Sequence, residues 1–157
     1  MTDARFEDGG DAPLALAVTD AGDVDVVSTL LQDAVFTGAD MRFDPKRREF
    51  GLLLNRFRWE DRAAAERTGR AYERVRSVLV FQDVLAVRSQ GVTKDAGTVL
   101  SLLSVGFTAG PDGTGRVVLT LAGDGAVALE VEALNADLRD VTRPYTAVSG
   151  KVPGHGA

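Results

Sequence analysis

Met41-Arg-Phe-Asp-Pro-Lys-Arg-Arg-Glu-Phe-Gly-Leu-Leu-Leu-Asn-Arg-Phe-Arg-Trp59 reads as two strands joined by a tight turn. Asp44-Pro45-Lys46-Arg47 is the turn: proline presets its own φ, and aspartate accepts hydrogen bonds from the backbone just ahead of it. Met41 to Phe43 and Glu49 to Trp59 are the strands. Side chains on an extended chain point alternately to opposite faces. In the second strand, Leu53, Asn55, Phe57 and Trp59 therefore share one face, and Leu52, Leu54, Arg56 and Arg58 share the other. The strand is apolar on both faces at its start and arginine-bearing at its end.

Downstream the pattern stays extended. Val75, Ser77, Leu79 and Phe81 alternate with Arg74, Arg76, Val78 and Val80. Asp83 marks a break or bulge, after which Val84 to Arg88 continues. A loop at Gly91–Gly97 leads to a strand over Val99 to Thr108. The turn Gly110-Pro-Asp-Gly-Thr-Gly115 leads to a strand over Arg116 to Leu121. Gly123-Asp-Gly125 then closes a hairpin onto Val127 to Ala133. Asn135 predicts the cap of a short C-terminal helix, with Leu134, Leu138 and Val141 on one side and Pro144 as its end.

Upstream, Leu14 to Val18 reads as a short strand. Asp20 or Asp23 caps a helix whose apolar stripe is Val24, Val27, Leu30, Leu31, Ala34 and Val35, with Gly38 as its stop. Between the central strands, Glu60 to Ala71 is charged and alanine-rich. Arg62–Glu66 and Glu66–Arg70 are opposite charges at helical spacing, which supports a short helix, whereas Gly69 favours a loop. The order β-α-ββ-loop-βββββ-α implies an α+β fold, mainly antiparallel β. It fits a bent sheet or a pleckstrin-homology-like barrel, with one helix in the N-terminal half and a C-terminal helix plugging an open end. A half-open sheet packed on two helices is the alternative. The expected organisation is a disordered acidic N-terminus over 1–12, one globular domain over 13–148, and a flexible tail over 149–157.

The 157 residues contain no cysteine, which removes disulfides, thiolate metal sites and cysteine nucleophiles, and fits a reducing compartment. No apolar run approaches the roughly 20 residues of a membrane-spanning helix, and the first 13 residues lack the basic start and apolar run of a signal peptide. These features imply a soluble cytoplasmic protein. The only histidine, His155, lies in a Pro-Gly-His-Gly tail, a poor place to hold a catalytic base or a metal ligand. Ser77, Ser101 and Ser104 read as strand residues. Asp137/Asp140 and Glu60-Asp61 show no calcium-loop spacing. The glycines of 110–115 are flanked by two strands, not by a strand and a helix, so they read as a hairpin and not as a phosphate cradle. No catalytic residue, metal ligand or cofactor is assigned.

Charge is the remaining signal. From Arg42 to Lys94 there are thirteen Lys/Arg against seven Asp/Glu, a local excess of +6, while the rest of the chain carries −11. The net charge is −5. Arg56 and Arg58 project from one face of their strand, and Arg74 and Arg76 from one face of theirs. If the two strands are neighbours, four guanidinium groups cluster, with Trp59, Phe57 and Tyr72 close by in sequence. Clustered arginines with aromatics suit carboxylates, phosphates or single-stranded nucleic acid. Against this, Glu60, Asp61, Glu66 and Glu73 are interleaved and can pair with them on a solvated surface, and Phe57 and Trp59 share the Leu53 face, which suits packing. The low overall pI, about 4.9, argues against general nucleic-acid binding.

The segments Leu30-Leu-Gln-Asp-Ala-Val35, Leu52-Leu-Leu-Asn-Arg-Phe-Arg-Trp-Glu60 and Val84-Leu-Ala-Val-Arg-Ser-Gln-Gly91 together resemble an uncharacterised alphaproteobacterial family classed as a domain of unknown function. The resemblance spans roughly Leu14 to Val141. It implies a bacterial cytoplasmic protein and assigns no activity or ligand to any residue.

The reading with most support is a small non-enzymatic binding or adaptor module. Its ligand would be an acidic protein segment or small anion at Arg56, Arg58, Arg74 and Arg76, with Trp59 beside them. The alternatives are single-stranded RNA binding through the same arginines plus Trp59 and Tyr72, and an enzyme using carboxylates in a barrel-mouth pocket. Open sheet edges also suit a homodimer.

Overall fold

In a computed structural model, which describes residues 12–147 and 152–153, the turn at Asp44 joins β3 (Met41–Asp44) to β4 (Glu49–Phe57). Met41 pairs with Leu52 and Asp44 with Glu49. The Asp44 carboxylate accepts from the backbone N–H groups of Lys46 and Arg47, as an aspartate-led turn should. β4 then pairs antiparallel with β5 (Glu73–Phe81) over eight residue pairs, from Phe50↔Phe81 to Phe57↔Arg74.

Around this pair the remaining strands are β1 (Ala15–Val18), β2 (Val35–Thr37), β6 (Val84–Gln90), β7 (Val99–Ala109), β8 (Gly115–Leu121), β9 (Ala126–Val131), β10 (Ala136–Asp140) and β11 (Tyr145–Thr146). They form one antiparallel sheet in the order β1-β10-β5-β4-β2-β7-β8-β9-β6, with β3 added to β4 and β11 to β5. The sheet is open, with β1 and β6 as its ends. Short β2 is its joint: it pairs with β4 only at Val35↔Asn55, and with β7 over three residues. The chain is bent so that inward side chains of both halves meet. Leu52, Leu54, Leu79 and Leu138 from one half share a core with Leu102, Leu119, Leu129 and Val131 from the other. Each such side chain contributes roughly 1.5–3 kcal/mol when removed from water.

Two α-helices occur among the described residues. α1 (Ala21–Leu30) packs against β7 and puts Val24 and Val27 into that core. Asp20 is its N-cap and accepts from the Asp23 N–H, while the Asp23 carboxylate accepts from the Thr19 N–H. The helix is shorter than its apolar stripe predicted. Asp33 adopts φ 64°, which turns the chain, so Val35 begins β2. Gly38 is not the helix stop. It opens a 3-10 turn beneath Thr93, where an added Cβ would sit 1.8 Å from the Thr93 carbonyl oxygen.

The segment left open as helix or loop is helical. A 3-10 turn over Trp59–Asp61 runs into α2 (Arg62–Thr68), and Gly69, at φ 71°, caps its C-terminus. The glycine that weakens a helix interior therefore ends this helix. The expected C-terminal helix is overturned: its residues form β10, held between β1 and β5. Ala136 and Leu138 are buried while Arg139 is exposed, a period of two that the 3–4 spacing of Leu134, Leu138 and Val141 obscured. Asn135 caps no helix; its carbonyl accepts from the Gln82 N–H. Among the described residues no C-terminal helix is thus available to plug a pleckstrin-homology-like barrel. No helix of the described residues is long and apolar enough to cross a membrane. The expectations for 1–11, for 148–151 and for 154–157, His155 included, lie outside the described residues.

Candidate functional site

Strand register decides the fate of the four arginines. β4 and β5 are neighbours, as the cluster required, but Asn55 pairs with Arg76, Arg56 with Val75 and Phe57 with Arg74. Paired residues point to the same face. Arg56 therefore follows Leu52 and Leu54 inward, while Arg74 and Arg76 point outward with Asn55. The expected four-arginine cluster does not form. One pair is built into the protein, and the other lies on its surface.

Arg56 is fully buried. Its guanidinium spans Glu60 at 2.9 and 2.8 Å and Asp140 at 3.1 Å, and its Nε donates to Ser77 Oγ at 3.1 Å. Ser77 in turn donates to Asp140 at 2.7 Å, and the Leu14 N–H donates to the same carboxylate at 2.9 Å. Burial alone would lower the pKa of Arg56, but the hydrogen bonds and charges of Glu60 and Asp140 outweigh it and raise the pKa. At Glu60, burial works upward and is overcome by Arg56, so its carboxyl lies below its ordinary value. Arg58 is 3% exposed; it pairs with Glu73 and lies 3.7 Å from Asp61. Asp61 also takes two hydrogen bonds from Arg70, at 2.8 and 2.9 Å, and these lead in pulling its pKa down. Arg56 and Arg58 thus hold the Trp59–Asp61 turn, β5 and β10 together, with their charge met by internal carboxylates. Trp59 is likewise committed. Its ring meets Phe57 edge-on at 4.7 Å, and its Nε1 donates to the Gln32 carbonyl at 3.1 Å.

The outer face is different. Arg74 bonds Asn55 through the side-chain oxygen and, at 3.1 Å, the backbone carbonyl. Burial lowers the pKa of Arg74, partly offset by Tyr145 and Asp33. Arg76 is exposed, and its side chain has no hydrogen-bond or ion-pair partner among the described residues. It stands at the lip of a groove of about 190 Å3, opened where β2 leaves β4 and lined also by Val35, Thr37, Leu53, Asn55 and Val99. The Asp40 carboxylate at the same groove accepts from the Thr37 N–H and hydroxyl. A second groove, about 400 Å3, lies beside the 110–115 hairpin, where Glu130 is paired with Arg116 at 2.6 Å. Each groove therefore carries a single carboxylate, already engaged, so neither offers the paired acids of a hydrolytic site. No group of three or more His, Asp or Glu among the described residues is placed to hold a metal ion.

Register also shows what accompanies Arg76. Across the outer face one row reads Ala15, Arg139, Val78, Leu53, and the next reads Ala17, Asp137, Val80, Gly51, Arg42. Arg42, Arg76 and Arg139 are exposed, and Val78, Val80 and Leu53 are partly so. Neither Arg42 nor Arg139 was a candidate from sequence, because their place on this face depends on which strands adjoin β4 and β5. Asp140 was missed for a related reason: read as helical, it had no path to Arg56.

Fold and site together define a mainly antiparallel β domain whose bent sheet encloses the core with α1 packed against β7, and whose outer face over β10, β5, β4 and β3 carries Arg42, Arg76 and Arg139 around partly exposed apolar residues. The chain belongs to the family described as Protein of unknown function (DUF2948), whose model matches residues 14–155. No curated protein and no solved structure matches it.

Proposed function

We propose that this protein is a non-enzymatic binding module of the cytoplasm that captures carboxylate groups, as an acidic polypeptide segment presents them, at the Arg76 groove. The observation that carries this reading is Arg76 itself. It is an exposed guanidinium with no partner among the described residues, beside a groove walled by Val35, Leu53 and Val99. Arg74 lies two residues away on the same face, about 7 Å along an extended strand, within reach of a second carboxylate. Guanidinium–carboxylate hydrogen bonds are strong and directional, and the apolar walls would take an adjoining aliphatic side chain. The absence of cysteine from the chain supports a reducing compartment.

The test is fluorescence polarisation with a labelled glutamate-rich peptide at low salt. The peptide should bind, Arg76→Gln should weaken it about tenfold, as loss of a charged hydrogen bond of roughly 1.5 kcal/mol implies, and Arg74→Gln should weaken it further. Equal binding by wild type and Arg76→Gln overturns the site. Tighter binding of a single-stranded RNA oligonucleotide than of the peptide overturns the ligand class.

A further inference from the structure

The outer sheet face carries a second feature, centred one to two rows from Arg76. Val78, Leu53 and Val80 form an apolar centre around Gly51, and an added Cβ at Gly51 would meet nothing within 4 Å. On either side of this centre stand opposite charges in one row: Asp137 on β10 and Arg42 on β3. Arg42 has no carboxylate partner among the described residues, and Asp137 meets only the exposed Arg139 at 3.1 Å. In strand order the row runs β10, β5, β4, β3, so Asp137 and Arg42 are equidistant from the line between β5 and β4.

That symmetry has a geometric consequence. From it we infer that this face pairs with itself, in a two-fold dimer whose axis runs along the strands between β4 and β5. The operation lays β5 over β4 of the second copy and β10 over its β3. Val78 then meets Leu53 of the second copy, and Val80 enters the space above its Gly51. Asp137 faces its Arg42. Each contact occurs twice, as an isologous interface requires. Strands of the two sheets run aligned, the usual mode of face-to-face packing at about 10 Å separation. The usual rotation of about 30° displaces groups about 7 Å from the axis by roughly 3.5 Å, which the long Arg42 side chain can follow. The four central strands span only about 19 Å, so the interface is small and the dimer should be reversible. Arg76 lies at its border, so dimer formation and the Arg76 groove can be tested separately.

Sedimentation velocity on the full chain, from about 1 μM to 500 μM, should show a concentration-dependent monomer–dimer equilibrium, the range in which modest interfaces associate. Val78→Glu should leave monomer throughout. Arg42→Asp and Asp137→Arg should each weaken association at least about tenfold by setting like charges face to face, and the double variant should restore it. Arg76→Gln should leave it unchanged. A wild-type protein that stays monomeric overturns the inference, as does a dimer indifferent to Val78→Glu. Should Val78→Glu fail to fold, the charge exchange alone decides: no restoration in the double variant overturns the interface.

Discussion

Arg56 shows how one side chain can be basic and yet structural. It is fully buried, and every nitrogen of its guanidinium has an oxygen partner. A buried ion pair seldom adds much net stability, but removing one member strands the others. Arg56→Ala should therefore cost about 3–5 kcal/mol, measured by urea unfolding, because the buried Asp140 carboxylate would be left without its cation and Glu60 with only Arg58 at 3.8 Å. The acids around it also set a pH dependence. Glu60 and Asp61 ionise more readily in the folded protein than at their ordinary values of 4.5 and 3.8. Near those values the unfolded chain binds more protons, so stability rises with pH there. The contribution is complete above both values and drains as pH falls below them. The urea midpoint should thus hold steady down to roughly pH 5 and then decline, and Asp61→Asn should flatten part of the decline. A midpoint independent of pH in the acid range would contradict the network.

At the scale of elements, β10 and Gly38 make the sharpest statements. β10 is hydrogen-bonded on both sides, whereas β1 and β6 each present one open edge among the described residues. Amide exchange should be slowest in β10 and β5 and faster in β6; fast exchange in β10 would argue for the helix that its sequence suggests. Gly38 sits under the Thr93 backbone, so Gly38→Ala should destabilise by about 1–3 kcal/mol, the usual cost of overpacking, seen as a lower melting temperature. Most elements were legible from the chain. The hairpin at Asp44, the cap at Asp20, the alternation in β5 and the glycine turns at 110–115 and 123–125 are local signals, and each lies where it points. What was not legible depends on partners remote in sequence. β10 reads as a helix until β1 and β5 flank it. The arginines read as one cluster until register gives Arg56 and Arg76 opposite faces. Parity along a strand is written in the sequence, but the residue it faces across the gap is not.

At the scale of the whole molecule, charge is sorted by face and not simply by position along the chain. The basic middle supplies Arg56 and Arg58 to the interior, where Glu60, Asp61, Glu73 and Asp140 meet them, and Arg42, Arg74 and Arg76 to one surface. On a protein of net charge −5, that surface is an exception, which suits it to acidic ligands approaching in low salt.

The pairing of β1 with β10 also governs how the protein can be made. The Asp140 N–H donates to the Leu14 carbonyl and the Leu14 N–H to the Asp140 carboxylate, 126 residues apart, and Arg56 waits for the same aspartate. During synthesis β1 lacks its partner β10, and a buried arginine lacks one of its two anchoring acids, until residue 140 has left the ribosome. Such distant closures are slow to form because the intervening chain must first be ordered. A chain ending at residue 134 should accordingly show no cooperative melting transition, and its newly made form should be degraded by proteases that leave the full-length protein intact.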